Sequence, residues 1–412
     1  MISKSRLSRL CIVVSISVVT AITAGTLPSS NTAAAASPNS AQASSGIKVT
    51  LNGGEFQPQS APYVKNGTVF LPLRDIGELL GTVVFWSSSS KTVTMTYPEL
   101  TVALNYGSGK ATINGKAQSL AANPEIIKGR IYVPLRFLSE ATGADVNWNA
   151  KAKTVSIQKP EKFAKGGGVN VTAWVNRANG DLYIAHPYEQ SPARVGKVDA
   201  DFQEYVSINS FFTSSGSMIL TILDNYGEPH VQFGAYGILV RDNKIVAQKK
   251  ANYFQRYEEN AIYYQYLDEG SNRNVERSLL TDGRTLSVYD AEGKEVETYD
   301  LPELVGKDET YAVLGAGKDY LVVRPNRTGL LTVINLKDNS TVELAEKLLT
   351  GDDLEYARTN DVPYHGDELK FLGLDTATGL LGFSYVSPFD GKQEVQLFTY
   401  NLKTGETGVM KP

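Results

Sequence analysis

One stretch of this chain occurs twice, and the repeat constrains how the first part of the chain can fold. Residues 66–95 read NGTVFLPLRDIGELLGTVVFWSSSSKTVTM, and residues 128–157 read KGRIYVPLRFLSEATGADVNWNAKAKTVSI. The alignment needs no gap at an offset of 62 residues, and it extends back to copies at 49–95 and 111–157 with 15 identities in 47 positions. Because self-similarity at a fixed period marks one supersecondary unit made more than once, we predict two such units in residues 47–158.

The identical positions are those that shape a small unit of strands and one helix. They include the pairs Pro72/Pro134, Arg74/Arg136, Gly81/Gly143 and Trp86/Trp148. A proline without an N–H suits a helix start, apolar residues at i, i+3 and i+7 give the helix one buried face, and a glycine suits its left-handed end. We therefore predict an α+β tandem-repeat domain in which these positions are structural. A ligand role for the arginines and a glycan platform at the tryptophans are the alternatives.

The doubled pattern of V/I-P-L-R, a helix, G, W and K-T-V resembles a known family. It is similar to the stalk domain at the N-terminus of some copper amine oxidases, which many secreted bacterial proteins carry without the oxidase. The resemblance covers about residues 47–158, a little over a quarter of the chain. It implies a copper amine oxidase N-terminal-like stalk domain that stands apart from any catalytic core.

The start of the chain has the features of an export signal. Its basic residues are Lys4, Arg6 and Arg9. An apolar run over 10–24 and the small residues at 34–36 follow them, which predicts a signal peptide over residues 1–36. We predict that a flexible leader rich in Ser, Ala and Asn follows over residues 37–46. We also predict that the protein is secreted or associated with the cell wall, and that it has no stable membrane span after cleavage. A retained N-terminal anchor is the alternative.

Charge and cysteine content exclude several classes of function. Cys11 is the only cysteine, so a chain cleaved after the signal has no disulfide and no thiolate metal site. Residues 47–160 hold twelve basic and seven acidic residues, a net charge of +5, while residues 161–412 hold 25 basic and 37 acidic, a net charge of −12. The acidic total argues against a nucleic-acid partner. The basic repeat region suits an anionic cell wall, and an ordinary solvated surface is the alternative.

The rest of the chain has the pattern of an all-β domain. Residues 159–168 end in three glycines and are predicted to be a linker. In residues 169–412, short apolar runs alternate with polar turns, and hairpin patterns begin at Gly237, Leu286, Leu331 and Leu397. Sets of four strands at this spacing favour a β-propeller-like domain with four to five blades. A β-sandwich or an irregular all-β domain is the rival prediction.

The chemistry of the oxidase is absent from this sequence. That enzyme class makes a quinone from the tyrosine of T-x-x-N-Y-D/E beside copper held by His-x-His and a third histidine. None of the three Asn-Tyr pairs here fits that motif, and His186, His230 and His365 are far apart in the sequence. We therefore expect no copper amine oxidase activity, no cofactor, and no catalytic or metal-binding residues.

The densest aromatic cluster is a candidate binding surface. Its members are Tyr253, Phe254, Arg256, Tyr257, Tyr263, Tyr264 and Tyr266. A tyrosine ring pairs a flat apolar face with a polar tip, which suits recognition. Packing of these rings between neighbouring sheets is the alternative.

Together these features predict an exported, non-catalytic cell-envelope protein. Its stalk-like domain would anchor or display a β-rich binding domain, with a cell-wall glycan or an envelope protein as the partner. The alternative is a secreted glycan-cleaving hydrolase with its site on the propeller-like domain, and two carboxylates that converge in one cleft would favour it.

Overall fold

The computed structural model describes residues 46–106, 108–120, 122–227, 231–254, 260–361 and 365–409. The predicted signal peptide, all but Gly46 of the leader, and Arg256, Tyr257 and His230 lie outside these residues. Within the described ranges, no helix combines the length and the apolar character that a membrane span requires. The described chain is mostly β-strand.

The repeat region contains two short helices among its strands. In chain order its elements are β1 (Lys48–Leu51), β2 (Gly54–Phe56), β3 (Tyr63–Lys65), β4 (Thr68–Pro72), α1 (Leu73–Leu80), β5 (Val83–Ser87), β6 (Thr92–Tyr97), β7 (Leu100–Asn105), β8 (Ala111–Ile113), β9 (Lys116–Gln118), β10 (Glu125–Ile127), β11 (Arg130–Pro134), α2 (Leu135–Ala141), β12 (Asp145–Asn149) and β13 (Thr154–Gln158). The strands of the described part form sheets in the orders β12-β13-β1-β2, β10-β11-β4-β3 and β5-β6-β7-β8-β9. Each repeat thus supplies the same succession of strand, helix and strand pair.

The two repeats build these sheets jointly. The equivalent strands β4 and β11 pair antiparallel, with Phe70 opposite Pro134 and Pro72 opposite Tyr132, so the pairing is unchanged when the repeats are exchanged. Strand β1 opens the first repeat but pairs in parallel with β13 of the second. Strand β8 opens the second repeat but joins β5 and β6 of the first through β7. Each copy therefore completes the sheet of the other, and their apolar faces share one core.

The helices follow their local sequence signals. In α1, Leu73, Ile76 and Leu80 are all buried, as the i, i+3, i+7 spacing predicts. Gly81 ends the helix in the left-handed region at φ 63°, and its N–H donates to the Glu78 carbonyl. Gly143 has φ 77° and bonds in the same way to Glu140, so the predicted glycine ends are present in both copies.

The described part of the remaining chain is a succession of antiparallel strands with three short helices. These elements are β14 (Phe163–Gly168), β15 (Val171–Asn176), β16 (Asp181–Ala185), β17 (Ala193–Lys197), β18 (Tyr205–Phe212), β19 (Met218–Tyr226), β20 (Gln232–Arg241), β21 (Lys244–Phe254), β22 (Tyr263–Asp268), β23 (Arg273–Thr281), β24 (Thr285–Tyr289), β25 (Glu295–Asp300), α3 (Leu301–Val305), β26 (Tyr311–Ala316), β27 (Tyr320–Pro325), β28 (Thr332–Asn335), β29 (Ser340–Glu343), α4 (Ala345–Leu348), α5 (Gly351–Thr359), β30 (Lys370–Asp375), β31 (Leu380–Val386), β32 (Val395–Asn401) and β33 (Thr407–Val409).

These strands fall into sets of four that run in sequence order. The described residues hold five such sets, β14–β17, β18–β21, β22–β25, β26–β29 and β30–β33. The four predicted hairpins are the last two strands of the last four sets, which confirms the hairpin pattern. A parallel contact between Gly167 and Asn209 joins the first two sets into one eight-stranded sheet.

The predicted linker requires a correction. Its last six residues form strand β14, which pairs along its whole length with β15. A Cβ atom at Gly166 would lie 2.2 Å from the Ile208 carbonyl oxygen, and one at Gly168 would lie 2.6 Å from that of Ser210. The glycines therefore allow two backbones to approach closely, and they do not make a flexible hinge.

The repeat region and the β-rich region share a packed interface. Trp174 is fully buried against Val83 and Tyr97, and its indole Nε1 donates to the Gly81 carbonyl at 2.9 Å. The Tyr183 hydroxyl donates to Glu99 at 2.7 Å. The described residues on both sides belong to one compact unit. The end of α1 is thus completed by a side chain from the β-rich region.

One buried ion pair connects the fourth and fifth sets of strands. The Arg324 and Asp367 side chains are 2% and 0% exposed, and their Nη1 and Oδ1 atoms are 2.8 Å apart. The Asp367 carboxylate also accepts from the Leu331 N–H. The hydrogen bonds to both side chains offset part of the cost of burying this pair away from water.

Candidate functional site

A cleft of about 600 Å³ lies where the first repeat meets the β-rich region. It is lined by the start of α1, by β5, by the turn between β10 and β11, and by the loop after β16. We call it the repeat cleft, and its main side chains are those of Pro72, Arg74, Asp75, Trp86, Arg130, Tyr188 and Glu189. Three of these, Pro72, Arg74 and Trp86, are repeat positions that the sequence singles out.

Asp75 is the buried acid of the repeat cleft. It is 1% exposed, and its Oδ1 accepts a hydrogen bond from the Gln59 N–H at 3.2 Å. Its Oδ2 is buried and has no hydrogen-bond partner among the described residues. Burial raises the pKa of Asp75, and the opposing hydrogen bonds from the backbone of Gln59 and Ser60 do not cancel that effect. A buried acceptor without a donor is costly, so this position calls for a donor group.

The second repeat acts as an internal comparison for this acid. Phe137 occupies the aligned position there and packs partly buried against the shared core. The unit therefore folds with an apolar ring at this place, and the carboxyl of Asp75 is not a requirement of the repeat architecture.

Two guanidinium groups face the same cleft. Arg74 and Arg130 are exposed, and neither forms a hydrogen bond or an ion pair with any described residue. Arg136, the equivalent of Arg74 in the second repeat, lies 4.0 Å from Glu140 and donates to the Val146 carbonyl at 3.4 Å. The same residue is thus tied to its own unit in one repeat and is available to a ligand in the other.

Aromatic rings form the remaining sides of the cleft. Trp86 is half-buried and meets Tyr106 edge-to-face, with ring centroids 6.5 Å apart. Tyr188 is 39% exposed, and its hydroxyl donates to Glu189 at 3.2 Å. That hydrogen bond to a carboxylate raises the pKa of Tyr188. A flat ring beside cationic and acidic groups suits recognition of a polar molecule that has an apolar face.

The other repeat positions lie outside the cleft. Pro134 is buried at the start of α2, and Gly81 and Gly143 end the two helices. Trp148 is half-buried and packs against the shared core, as Trp86 does. The structure therefore gives these four positions packing or capping contacts.

The predicted aromatic cluster is divided among different surroundings. Tyr253 is 2% exposed, and its hydroxyl donates to the Tyr311 carbonyl at 3.2 Å. Phe254, the next residue, is 51% exposed and lines a separate pocket beside Lys307 and His365. The structure thus places one of these neighbours in the core and the other at the surface.

The three tyrosines of β22 alternate between its faces. Tyr264 and Tyr266 stack with centroids 6.0 Å apart, and burial raises the pKa of Tyr264 to about 12. Tyr263 points the other way, and its hydroxyl lies 3.0 Å from that of Ser214. Of the described members, the structure brings Tyr264 and Tyr266 together.

A second cleft, of about 750 Å³, contains the acids that bear on the hydrolase alternative. Asp268, Glu276, Asp290 and Glu292 line it. Burial would raise the pKa of Glu276, but hydrogen bonds from Ser214 and Ser215 outweigh it and hold that pKa below its usual value. Hydrogen bonds from Ser271 and Gly270 likewise lower the pKa of Asp268. A general acid for glycoside cleavage needs the opposite shift.

The described histidines bond to nearby backbone. The His186 Nδ1 lies 3.1 Å from the Asn170 carbonyl oxygen, and that of His365 lies 2.7 Å from the Asn360 carbonyl oxygen. Among the residues that the structure describes, no group of three His, Cys, Asp or Glu side chains is placed to hold a metal ion.

Sequence reasoning did not identify Asp75, Arg130 or Tyr188. One signal was present for Asp75, because the alignment of the repeats sets it against Phe137 in an otherwise similar helix start. Arg130 and Tyr188 reach the cleft only through long-range pairing, which local patterns do not report.

A family model and a curated protein each match part of this chain. The model of the copper amine oxidase N-terminal domain family matches residues 50–157. A protease inhibitor from Brevibacillus choshinensis is 31% identical over 144 residues, which are 35% of this chain and 44% of that protein. The chain therefore spans less than half the length of this curated relative.

Solved structures with many strands are also similar to this chain. The Dos1 propeller has a TM-score of 0.30 and 10% identity, and the match covers 80% of this chain and 83% of that one. The WD40 domain of SCAP from fission yeast has a TM-score of 0.23 and 11% identity, and the match covers 78% of this chain and 62% of that one.

Only the N-terminal accessory domain of the oxidase family is matched, which confirms the resemblance read from the doubled motif. Residues 50–157 thus match the copper amine oxidase N-terminal domain family, and the match covers only this segment of the chain.

Proposed function

We propose that this protein is an exported, non-catalytic binding protein of the cell envelope. The observation that carries the proposal is the repeat cleft, which joins two unpaired guanidinium groups, a half-exposed indole and a buried acid in one concavity. Such a set recognises a ligand through charge, hydrogen bonds and ring contact. The basic balance of the repeat region favours an anionic partner, and a cell-wall glycan is the partner we propose.

The five sets of four strands serve as the scaffold in this proposal. Their sequential meander order is that of propeller blades, and we propose a propeller-like arrangement that displays its loops. The interface around Trp174 would hold this scaffold rigidly against the repeat region. Anchoring to the envelope would then rest on the same repeat region that contains the cleft.

Protease inhibition is the second candidate function. The observation that favours it is the 31% identity over 144 residues to the Brevibacillus choshinensis protease inhibitor. An inhibitor is also a non-catalytic binder, but its partner is a protein. The hydrolase alternative meets its first condition, because four acidic side chains line the second cleft. It still has less support, because hydrogen bonds hold the pKa of Glu276 and that of Asp268 below their usual values and a general acid needs the opposite shift.

One experiment with two arms separates these candidates. The purified full chain is sedimented with insoluble cell-wall glycan, and the same protein is added to a panel of secreted bacterial proteases with peptide substrates. We expect co-sedimentation that salt weakens, because the proposed contacts are between charged groups. Failure to bind wall glycan together with inhibition of a protease would replace the proposal with the second candidate, and release of soluble sugar would favour the hydrolase.

A further inference from the structure

We propose that the repeat cleft binds a carboxylated sugar unit. This inference rests on the proposed function, because it names the chemistry of the glycan that the cleft would recognise. It follows from three features of the cleft, each of which demands a different property of the ligand.

The buried acid demands a hydrogen-bond donor. The Oδ2 atom of Asp75 lacks a partner within the described structure, although the residue is 1% exposed and lines the cleft. The second repeat has Phe137 at this position, so the repeat fold does not require a carboxyl there, and the Gln59 N–H accounts for only the Oδ1 atom. Because the Oδ2 atom is itself closed to solvent, a sugar hydroxyl supplies the missing donor when the Asp75 side chain turns towards the cleft.

The two guanidinium groups demand a carboxylate. Arg74 and Arg130 form no hydrogen bond or ion pair with a described residue, although the charge of Arg130 partly offsets the rise in the pKa of Asp75. A guanidinium matches a planar carboxylate through two parallel hydrogen bonds. Glu189 lies at the exposed rim, where its carboxylate accepts from Tyr188 and where solvent screens its charge. A neutral sugar would leave both arginines unused.

The rings and the size of the cleft demand a small molecule with a flat apolar face. Trp86 and Tyr188 both line it, the first half-buried and the second exposed. The volume of about 600 Å³ lies within the range of about 300–1,000 Å³ that small-molecule sites occupy. A sugar ring with one carboxylate and free hydroxyls meets all three demands.

The test compares an acidic trisaccharide with its uncharged ester. The purified full chain is titrated by calorimetry with the trisaccharide of galacturonic acid and, separately, with the methyl ester of the same trisaccharide. The ester keeps the ring faces and every sugar hydroxyl but removes the charge. We expect the acid to bind, and we expect esterification to weaken binding by about tenfold to a hundredfold, the range for a charge-assisted hydrogen-bond pair.

A matched pair of variants locates the site. Arg74→Gln should weaken binding of the acid by about tenfold or more, because it removes one guanidinium from the cleft. Arg136→Gln makes the same change at the aligned position of the second repeat, outside the cleft, and should leave the affinity unchanged. Both positions are exposed, so both variants should fold, and circular dichroism with thermal melts checks that they do.

Three outcomes would overturn the inference. They are equal binding of the acid and the ester, equal loss of affinity in Arg74→Gln and Arg136→Gln, and binding of a peptide with a free C-terminal carboxylate in place of the sugar.

If the protein sediments with wall glycan but binds neither the trisaccharide nor muramic-acid fragments of the wall, this inference fails while the proposed function stands. If it binds neither wall glycan nor any of these probes, both fail. Preference for the muramic-acid fragments over the galacturonic acid trisaccharide would identify the wall as the source of the carboxylate.

Discussion

At the scale of single residues, the repeat lets one half of the domain serve as a control for the other. Arg74 and Arg136 occupy aligned positions, but Arg136 lies near Glu140 of its own helix while Arg74 faces the repeat cleft. Asp75 and Phe137 are likewise aligned, and only the acid is placed beside the cleft. The candidate site thus consists of the differences between two copies that share a fold.

Asp75→Asn should stabilise the protein at neutral pH. Burial raises the pKa of Asp75, so the folded protein holds this proton more tightly than the unfolded chain does. The stability of the native protein therefore falls as pH rises from about 3.9, the usual Asp value, through the raised folded pKa. The variant lacks this penalty, so we expect its melting temperature to exceed that of the native protein at pH 7 and to match it below about pH 4.

Thermal melts between pH 3.5 and pH 8 check this expectation. Asp145→Asn, at an exposed position, makes the same change of net charge and is the control. A stability difference for Asp75→Asn that stays constant over the whole pH range would contradict the assignment.

At the scale of elements, strand β14 shows why composition alone is a poor guide to flexibility. Three successive glycines are typical of a linker, yet here each one admits a neighbouring backbone. Strand β14 contacts β15 on one side and meets β18 on the other, so it lies inside an eight-stranded sheet. The glycines are needed because neighbouring strands, up to about 40 residues away in the sequence, come too close for a side chain to fit.

Gly166→Ala should destabilise the protein by about 1–3 kcal/mol, the usual cost of overpacking. Its Cβ would lie 2.2 Å from the Ile208 carbonyl oxygen, and a backbone atom cannot move aside cheaply. Gly391→Ala is the matched control, because nothing lies within 4 Å of the added atom. Urea unfolding of both variants measures the difference, and equal midpoints would show that β14 does not approach β18 this closely.

At the scale of the whole molecule, the repeat region and the β-rich region are joined by more than a covalent connection. Trp174, Tyr183 and Phe163 pack in one cluster with Val83 and Tyr97. The Lys165 ammonium also donates to the Thr82 carbonyl at 2.6 Å. The loop after β16 brings Tyr188 to the repeat cleft, so the candidate site depends on this junction.

Limited proteolysis should therefore spare the segment that the sequence assigns to a linker. Backbone paired within a sheet is a poor protease substrate, so we expect residues 162–168 to resist trypsin in the folded protein. Trp174→Ala should expose this segment and lower stability by about 3–5 kcal/mol, the range for loss of a buried tryptophan ring.

Val169→Ala is the control for this experiment, because Val169 adjoins β14 but is 94% exposed. Mass spectrometry of early fragments identifies the cut sites. Early cleavage at Lys162 or Lys165 in the native protein would mean that the two regions are independent domains joined by a hinge.

The sequence by itself determined the features that depend on neighbours along the chain. The helix start after Pro72, the buried face of α1, the left-handed Gly81 and the four hairpins all follow from spacing and turn residues, and the structure contains each of them. These elements arise from interactions over a few residues, which is why local patterns predict them.

Only the tertiary structure decided how those elements combine. In the tertiary structure the repeats exchange strands, β14 lies inside a sheet, and Arg130 and Tyr188 lie beside Asp75. Arg130 and Tyr188 lie far from Asp75 in the chain, so no spacing rule relates them. Such contacts depend on which apolar faces and backbone edges find the best partners in three dimensions, and a local pattern is compatible with many of these arrangements.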